Sequence, residues 1–220
     1  MSDHSDASAA GKRPSAKPPR TPRRFQAAVP RAGDERRDLL LDSLENLLTS
    51  IPVADLSMEA IASAASLSRT SVYFYFGNKG EAVDALIARA TEQMQAQMFP
   101  RTRDEPLRDF VARIVAAALD GWRRHCPAYI AAVELSASRG PGVSRWRMIM
   151  SAFAEVLAQG VLAEDAELSD ADAQQRGAIV CWMVERNFYF LFTNDHTVEE
   201  EETLAAGLTQ AAHAVLAAPR

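Results

Sequence analysis

Cysteine is nearly missing from this chain, and a whole class of scaffolds goes with it. Cys126 and Cys181 stand far apart with no CxxC partner and no histidine pattern nearby, so neither a disulfide framework nor a zinc site is expected. No stretch reaches the roughly 18 uninterrupted apolar residues of a membrane helix, and the N-terminus lacks the apolar core of a signal peptide. A reduced, cytoplasmic chain without a membrane partner is the expectation. Catalytic motifs are lacking as well. His4, His125, His196 and His213 are scattered, and there is no HExxH, no glycine-rich phosphate loop and no Ser or Cys in a nucleophile-elbow setting. Neither enzymatic activity nor a cofactor or metal is expected.

What the chain does have is apolar bulk and an uneven charge. Its 220 residues are 48% hydrophobic, enough for one or two small domains with a real core. The net charge of −5 hides an asymmetry: residues 1–80 hold 11 Lys+Arg against 9 Asp+Glu, and the remainder 13 against 20. An anionic partner therefore belongs to the N-terminal part.

Three segments follow from composition and periodicity. Residues 1–33 are rich in Ser, Ala and Pro, with seven Lys and Arg and one aromatic. This reads as a disordered basic arm, either a solvated tail or an arm that follows a phosphate backbone. From Asp34 onward apolar residues recur at three- and four-residue spacings without sustained alternation, so the fold class is all-α. Residues 34–80 read as a three-helix helix-turn-helix head, and 81–220 as a larger helical bundle, about nine helices altogether. Ser57 and Ser68 are good N-caps, and Asn78 with Glu81 three residues on has capping-box spacing. Pro127 and Gly140-Pro141-Gly142 divide the body, while the acidic run from Glu199 to Glu202 reads as a solvated helix start.

The stretch LSRTSVYFYFGNKGEAV crowds four aromatics into one short helix. Two short helices joined by a tight turn have the proportions of a helix-turn-helix, whose second helix leads into the major groove with its first residues. Arg69, Thr70 and Tyr73 share one face there, while Val72 and Phe76 can turn back onto Ile61 and Leu44. Tyrosine hydroxyls suit phosphate oxygens, and Lys79 at the next helix start suits a phosphate clamp.

These residues, within Leu40 to Ile87, resemble the DNA-binding head of TetR-type one-component transcriptional regulators. The resemblance implies that Ser57, Arg69, Thr70, Ser71, Tyr73, Tyr75 and Lys79 meet double-stranded operator DNA. Three departures stand out. Ser66 occupies a turn position where the family commonly has glycine, at about 1 kcal/mol of strain. Glu59 puts a negative charge where phosphates or bases would lie, and Gly80 replaces a more usual acidic residue.

The body concentrates aromatics and methionines on three helices. Core packing is the plain reading of each one, but as a set Trp122, Trp146, Met150, Phe153, Cys181, Val184, Glu185, Phe188 and Tyr189 suggest a ligand cavity. Glu185 is a charge that an apolar core excludes unless paired, and Arg186 beside it offers a structural ion pair as the alternative. The stretches from His125 to Trp146 and MVERNFYF resemble the ethionamide-resistance branch of the same family. That likeness implies a long hydrophobic tunnel, with Trp146 and Phe153 at aromatic positions and Val184 where the branch has a ligand-fixing asparagine. The last helix could join its predecessor in a four-helix bundle with a second subunit, or cap its own body. The expectation is a homodimeric regulator, a repressor released from a palindromic operator by a hydrophobic small molecule. An architectural factor that senses nothing is the rival.

Overall fold

Short polar side chains decide where the first helices begin. The computed structural model describes residues 32–98, 101–102, 104–138, 144–165 and 167–218, with only the backbone at 32, 33, 93, 98 and 138. Helix α1 spans Ala32–Leu47 and is followed by a 3-10 turn at Val53–Asp55, then α2 (Met58–Ala64) and α3 (Arg69–Tyr75). Ser57 Oγ accepts from Ala60 N at 3.1 Å, and Ser68 Oγ from Ser71 N at 3.1 Å, each satisfying an N–H that a helix start leaves free. Helix α4 (Lys79–Met98) opens on a reciprocal cap. Glu81 N donates to Asn78 Oδ1 at 3.0 Å, while the Glu81 carboxylate accepts from Gly77 N and Asn78 Nδ2. The basic arm falls almost wholly on residues 1–31, outside the described residues, and α1 starts two residues before the expected boundary at 34.

The α2–α3 turn is a Schellman motif. Leu67 N donates to Ala62 O at 2.9 Å and Ser66 N to Ser63 O at 3.1 Å, with Ser66 at φ 54° between them. Ser66 is the only non-glycine residue with positive φ among the described residues. The turn thus does demand the left-handed backbone that glycine ordinarily supplies. Leu40, Leu44, Ile61 and Val72 meet in a core with no solvent exposure, and Phe76 joins them. That packing fixes which side of α3 faces outward.

The body comprises α5 (Leu107–Ser138), α6 (Arg145–Leu162), α7 (Asp170–Phe192) and α8 (Val198–Leu216). Pro127 was expected to separate two helices, but α5 kinks and continues. The bend is at His125, with φ −126° and ψ 30°, because proline removes one ladder donor and crowds the preceding turn. The described residues hold eight α-helices, nine segments if the two arms of α5 are counted apart. None of these helices is long and apolar enough to cross a membrane. Helices α6 and α7 pack most extensively. A Cβ built on Gly177 would lie 2.3 Å from Ala154 O, so glycine there permits near backbone-to-backbone approach.

One expectation for α8 needs correcting. Glu201 is 7% exposed, accepting from Arg123 Nε at 2.5 Å with His196 Nε2 3.0 Å away, so it docks α8 onto α5 instead of lying in solvent. Thr197 and Glu200 supply the capping box of that helix. Head and body meet at Glu45 on α1, which lies 3.3 Å from Arg89 Nη2 of α4 and 2.8 Å from His125 Nδ1 at the α5 kink.

Candidate nucleic-acid interface and internal cavity

Helix α3 has seven residues and buries only Val72. Arg69, Thr70 and Tyr73 are exposed on its outer side, as their spacing requires. Arg69 is held there before any partner arrives. Its Nη1 lies 2.5 Å from Glu59 Oε1, its Nη2 donates to Tyr73 Oη at 3.3 Å, and the guanidinium sits 5.4 Å from the centre of the Tyr73 ring. The Tyr73 hydrogen bond and the Glu59 charge both raise the Arg69 pKa, so the group stays cationic. Glu59, a liability when read alone, is therefore the residue that aims the guanidinium across the α2–α3 gap.

The other expected contacts divide. Thr70 is exposed, whereas Ser57 is partly covered and its hydroxyl caps α2. Ser71 Oγ lies 2.8 Å from Ser68 Oγ, and Tyr75 is half-buried against the core between Phe74 and Phe76. Lys79, expected to clamp a phosphate, has partners within the protein. Its Nζ donates to Ala54 O and Leu56 O, both at 2.9 Å, so two of its three donors tie the 3-10 turn to α4. Phe74 was missed. It is 83% exposed, beside Tyr73 and one position past the Arg69–Thr70–Tyr73 set, so its ring lies on the outward side. Its period was legible, but an aromatic within an aromatic block signals core.

In the body, seven of the nine expected residues line one cavity: Trp122 from α5, Trp146, Met150 and Phe153 from α6, and Cys181, Val184 and Glu185 from α7. The other two do not. Phe188 is fully buried in the neighbouring core, in ring contact with Phe192, and Tyr189 is half-buried beneath the Arg186 guanidinium. A helical stripe continues along α7, but the wall follows the stripe for only about one turn. Met94, Ile114, Ala118, Tyr129, Leu157 and Val180 complete the lining. They lie at ordinary core spacing, so nothing local distinguished them.

The wall is almost entirely apolar, and the space open to the centre of a water-sized sphere is about 40 Å³. Such a volume holds about three waters. Met94 and Met150, flexible at three torsions, are the parts of the wall that can give way to something larger. Cys181 Sγ donates to Met150 O at 3.3 Å, and burial with the nearby Glu185 charge pushes its thiol up to about 12, so it stays protonated. Tyr129 Oη donates to Ala90 O at 3.0 Å. Glu185 is 4% exposed. Its Oε1 accepts from Trp146 Nε1 at 3.1 Å, and burial raises its pKa against the opposing pull of Trp146 and Arg186. Arg186 Nε lies 3.6 Å from Oε2, so the expected alternative of a structural ion pair is present, at a distance too long for a hydrogen bond.

Comparison with known proteins agrees with this geometry. Residues 40–86 match the model for bacterial regulatory proteins of the tetR family. Over 75 residues the chain is 37% identical to the HTH-type transcriptional regulator EthR of Mycobacterium tuberculosis, a match covering 31% of this chain and 35% of that relative. It therefore spans about a third of the length of the curated relatives it matches. Across the whole fold it is similar to a tetR-family transcriptional regulator from Streptomyces coelicolor, with 20% identity over 82% of this chain and 80% of the other, TM-score 0.64. A TetR-like regulator from Rhodococcus sp. RHA1 gives 19% identity over 87% and 100%, TM-score 0.64. Residues 40–86 thus match the tetR-family head and resemble EthR there, and the chain as a whole has the fold of these solved regulators.

Proposed function

We propose that this protein is a homodimeric transcriptional repressor that binds a palindromic operator and is released by a hydrophobic small molecule. The observation that carries the reading is the outward side of α3, where Arg69 is pre-aimed by Glu59 and Tyr73 beside the exposed Thr70. An arginine fork and short polar side chains at the start of a helix-turn-helix second helix suit base edges in the major groove. Electrostatic attraction comes from the arm. Residues 1–31 hold seven Lys+Arg against two Asp+Glu, whereas residues 32–80 hold four against seven.

Dimerisation uses α7 and α8. Ile179, Trp182 and Phe190 are exposed on α7 on the side away from the cavity, and exposed apolar groups so grouped mark an interface. Two heads then meet successive major grooves about 34 Å apart. An effector in the cavity binds better to a dimer whose heads stand at another spacing, and the difference in affinity sets the extent of release. Localisation in the cytoplasm, with the DNA, follows from the role.

Fluorescence anisotropy on DNA from upstream of the protein's own gene tests the reading. Arg69→Ala should cost about 1–3 kcal/mol on the true operator and far less on unrelated DNA. Equal loss on both would show that Arg69 reads no base.

A further inference from the structure

The cavity is lined by one side chain with a buried oxygen to which none of the described residues donates a hydrogen bond. Glu185 Oε2 is the only buried side-chain oxygen or nitrogen without a hydrogen-bond partner among the described residues. Native interiors leave few such atoms, because a desolvated and unpaired carboxylate oxygen is costly. Its possible internal partners are otherwise engaged. The Trp146 N–H is taken by the other oxygen, the Cys181 thiol by Met150 and the Tyr129 hydroxyl by Ala90. Arg186 is about half exposed and lies over the Tyr189 and Phe190 rings, 5.3 and 5.9 Å from their centres, with its Nε 3.6 Å from the carboxylate. Val184, one residue before, has no hydrogen-bonding group.

The cavity is therefore a narrow apolar slot whose free polar valence is a single acceptor carrying negative charge. We infer that its ligand is a hydrophobic amine, an apolar chain or ring system bearing one basic nitrogen that donates to Glu185 Oε2. This rests on the reading of the cavity as an effector site and specifies its chemistry. An ammonium supplies the missing donor and brings its charge closer than Arg186 does at 3.6 Å, and charge-assisted hydrogen bonds are roughly twice as strong as neutral ones. An alcohol supplies the donor alone. A fatty carboxylate places like charges together in a poorly solvated space and is rejected. The apolar part lies against Trp122, Phe153 and Leu157, with Met94 and Met150 moving to admit it.

Calorimetric titration of the full-length protein with hexylamine, hexan-1-ol and hexanoate separates these chemistries at constant chain length. Hexylamine should bind at least about tenfold tighter than hexan-1-ol, with hexanoate weakest. Glu185→Gln retains an oxygen for the Trp146 N–H and should bring hexylamine down to the level of the alcohol. Equal binding of amine and alcohol by the unaltered protein overturns the inference, with no variant required. So does an amine preference that survives Glu185→Gln in a variant whose melting is still cooperative. Operator binding is followed separately. Glu185-dependent amine binding without DNA release would sink the sensing role and leave the amine site standing, whereas release by other apolar compounds with no amine preference would do the reverse.

Discussion

Replacing Lys79 by methionine distinguishes two jobs for one side chain. The ammonium ties the 3-10 turn at Val53–Asp55 to the start of α4 through two 2.9 Å hydrogen bonds to carbonyls. Methionine keeps most of the apolar stem and removes both donors. A hydrogen bond involving a charged group contributes about 1.5–3 kcal/mol when sheltered, and each of these is partly open to solvent, so the pair together should be worth about 2 kcal/mol. For a chain of this size that corresponds to a melting temperature lower by about 4–8 °C. Affinity for DNA should fall on every sequence, because the first turn of α4 and the α2 entrance lose their mutual position. The dependence of log affinity on log salt should stay the same. A phosphate clamp would behave oppositely, reducing the salt slope by about 0.9 with melting unmoved. That second pattern, read by scanning calorimetry beside anisotropy at four salt concentrations, would refute the structural account of Lys79.

Four further outcomes follow. Ser66→Gly relieves the left-handed backbone of the α2–α3 turn and should stabilise the protein by about 0.5–1 kcal/mol, net of the greater freedom glycine has when unfolded; an unchanged urea midpoint would mean the turn stores no strain. Gly177→Ala drives a methyl into the backbone of α6 and should cost about 1–3 kcal/mol, while Gly207→Ala, with nothing within 4 Å, should gain about 0.5–1 kcal/mol; equal thermal shifts would deny the close α6–α7 approach. Glu185→Gln should raise stability at pH 7, since the folded-state pKa of Glu185 lies above its ordinary 4.5 and folding must bear the buried charge above that range; the advantage should shrink as pH falls toward about 4.5, and a difference that grows on acidification would reverse the sign of the argument. Phe74→Ala removes an 83% exposed ring and should leave melting unchanged while weakening operator binding by about 1 kcal/mol where a thymine methyl faces it; undiminished affinity on every operator base change would show that the ring touches no DNA.

Much of the fold was legible because its signals are local. The caps at Ser57, Ser68 and Asn78 depend on side chains three residues away from their partners, and the left-handed need at Ser66 is a property of one turn. The outward set on α3 follows from helical period alone. What was not legible depends on chain-distant partners. Lys79 finds carbonyls 23 and 25 positions earlier, and Glu201 finds Arg123 on another helix, so the sequence near each gives no sign of these partners. Pro127 marked a real interruption, yet whether a helix ends or bends there depends on how both halves pack. In the cavity, the α6 and α7 contributors showed as aromatic and mixed stripes, while Tyr129, an isolated aromatic among alanines on α5, carried no sign of facing inward.

The bend at His125 gives the body a joint. A straight helix of 32 residues would be a strut about 48 Å long that yields only as a whole. Broken there, it becomes two levers sharing a wrist, with Trp122 on one lever, Tyr129 on the other, and both rings pressed against the same hollow. The wrist itself holds Glu45 of α1. The residue at that joint is also the one that touches α1, so the angle between the two levers and the seat of the head share a single hinge point.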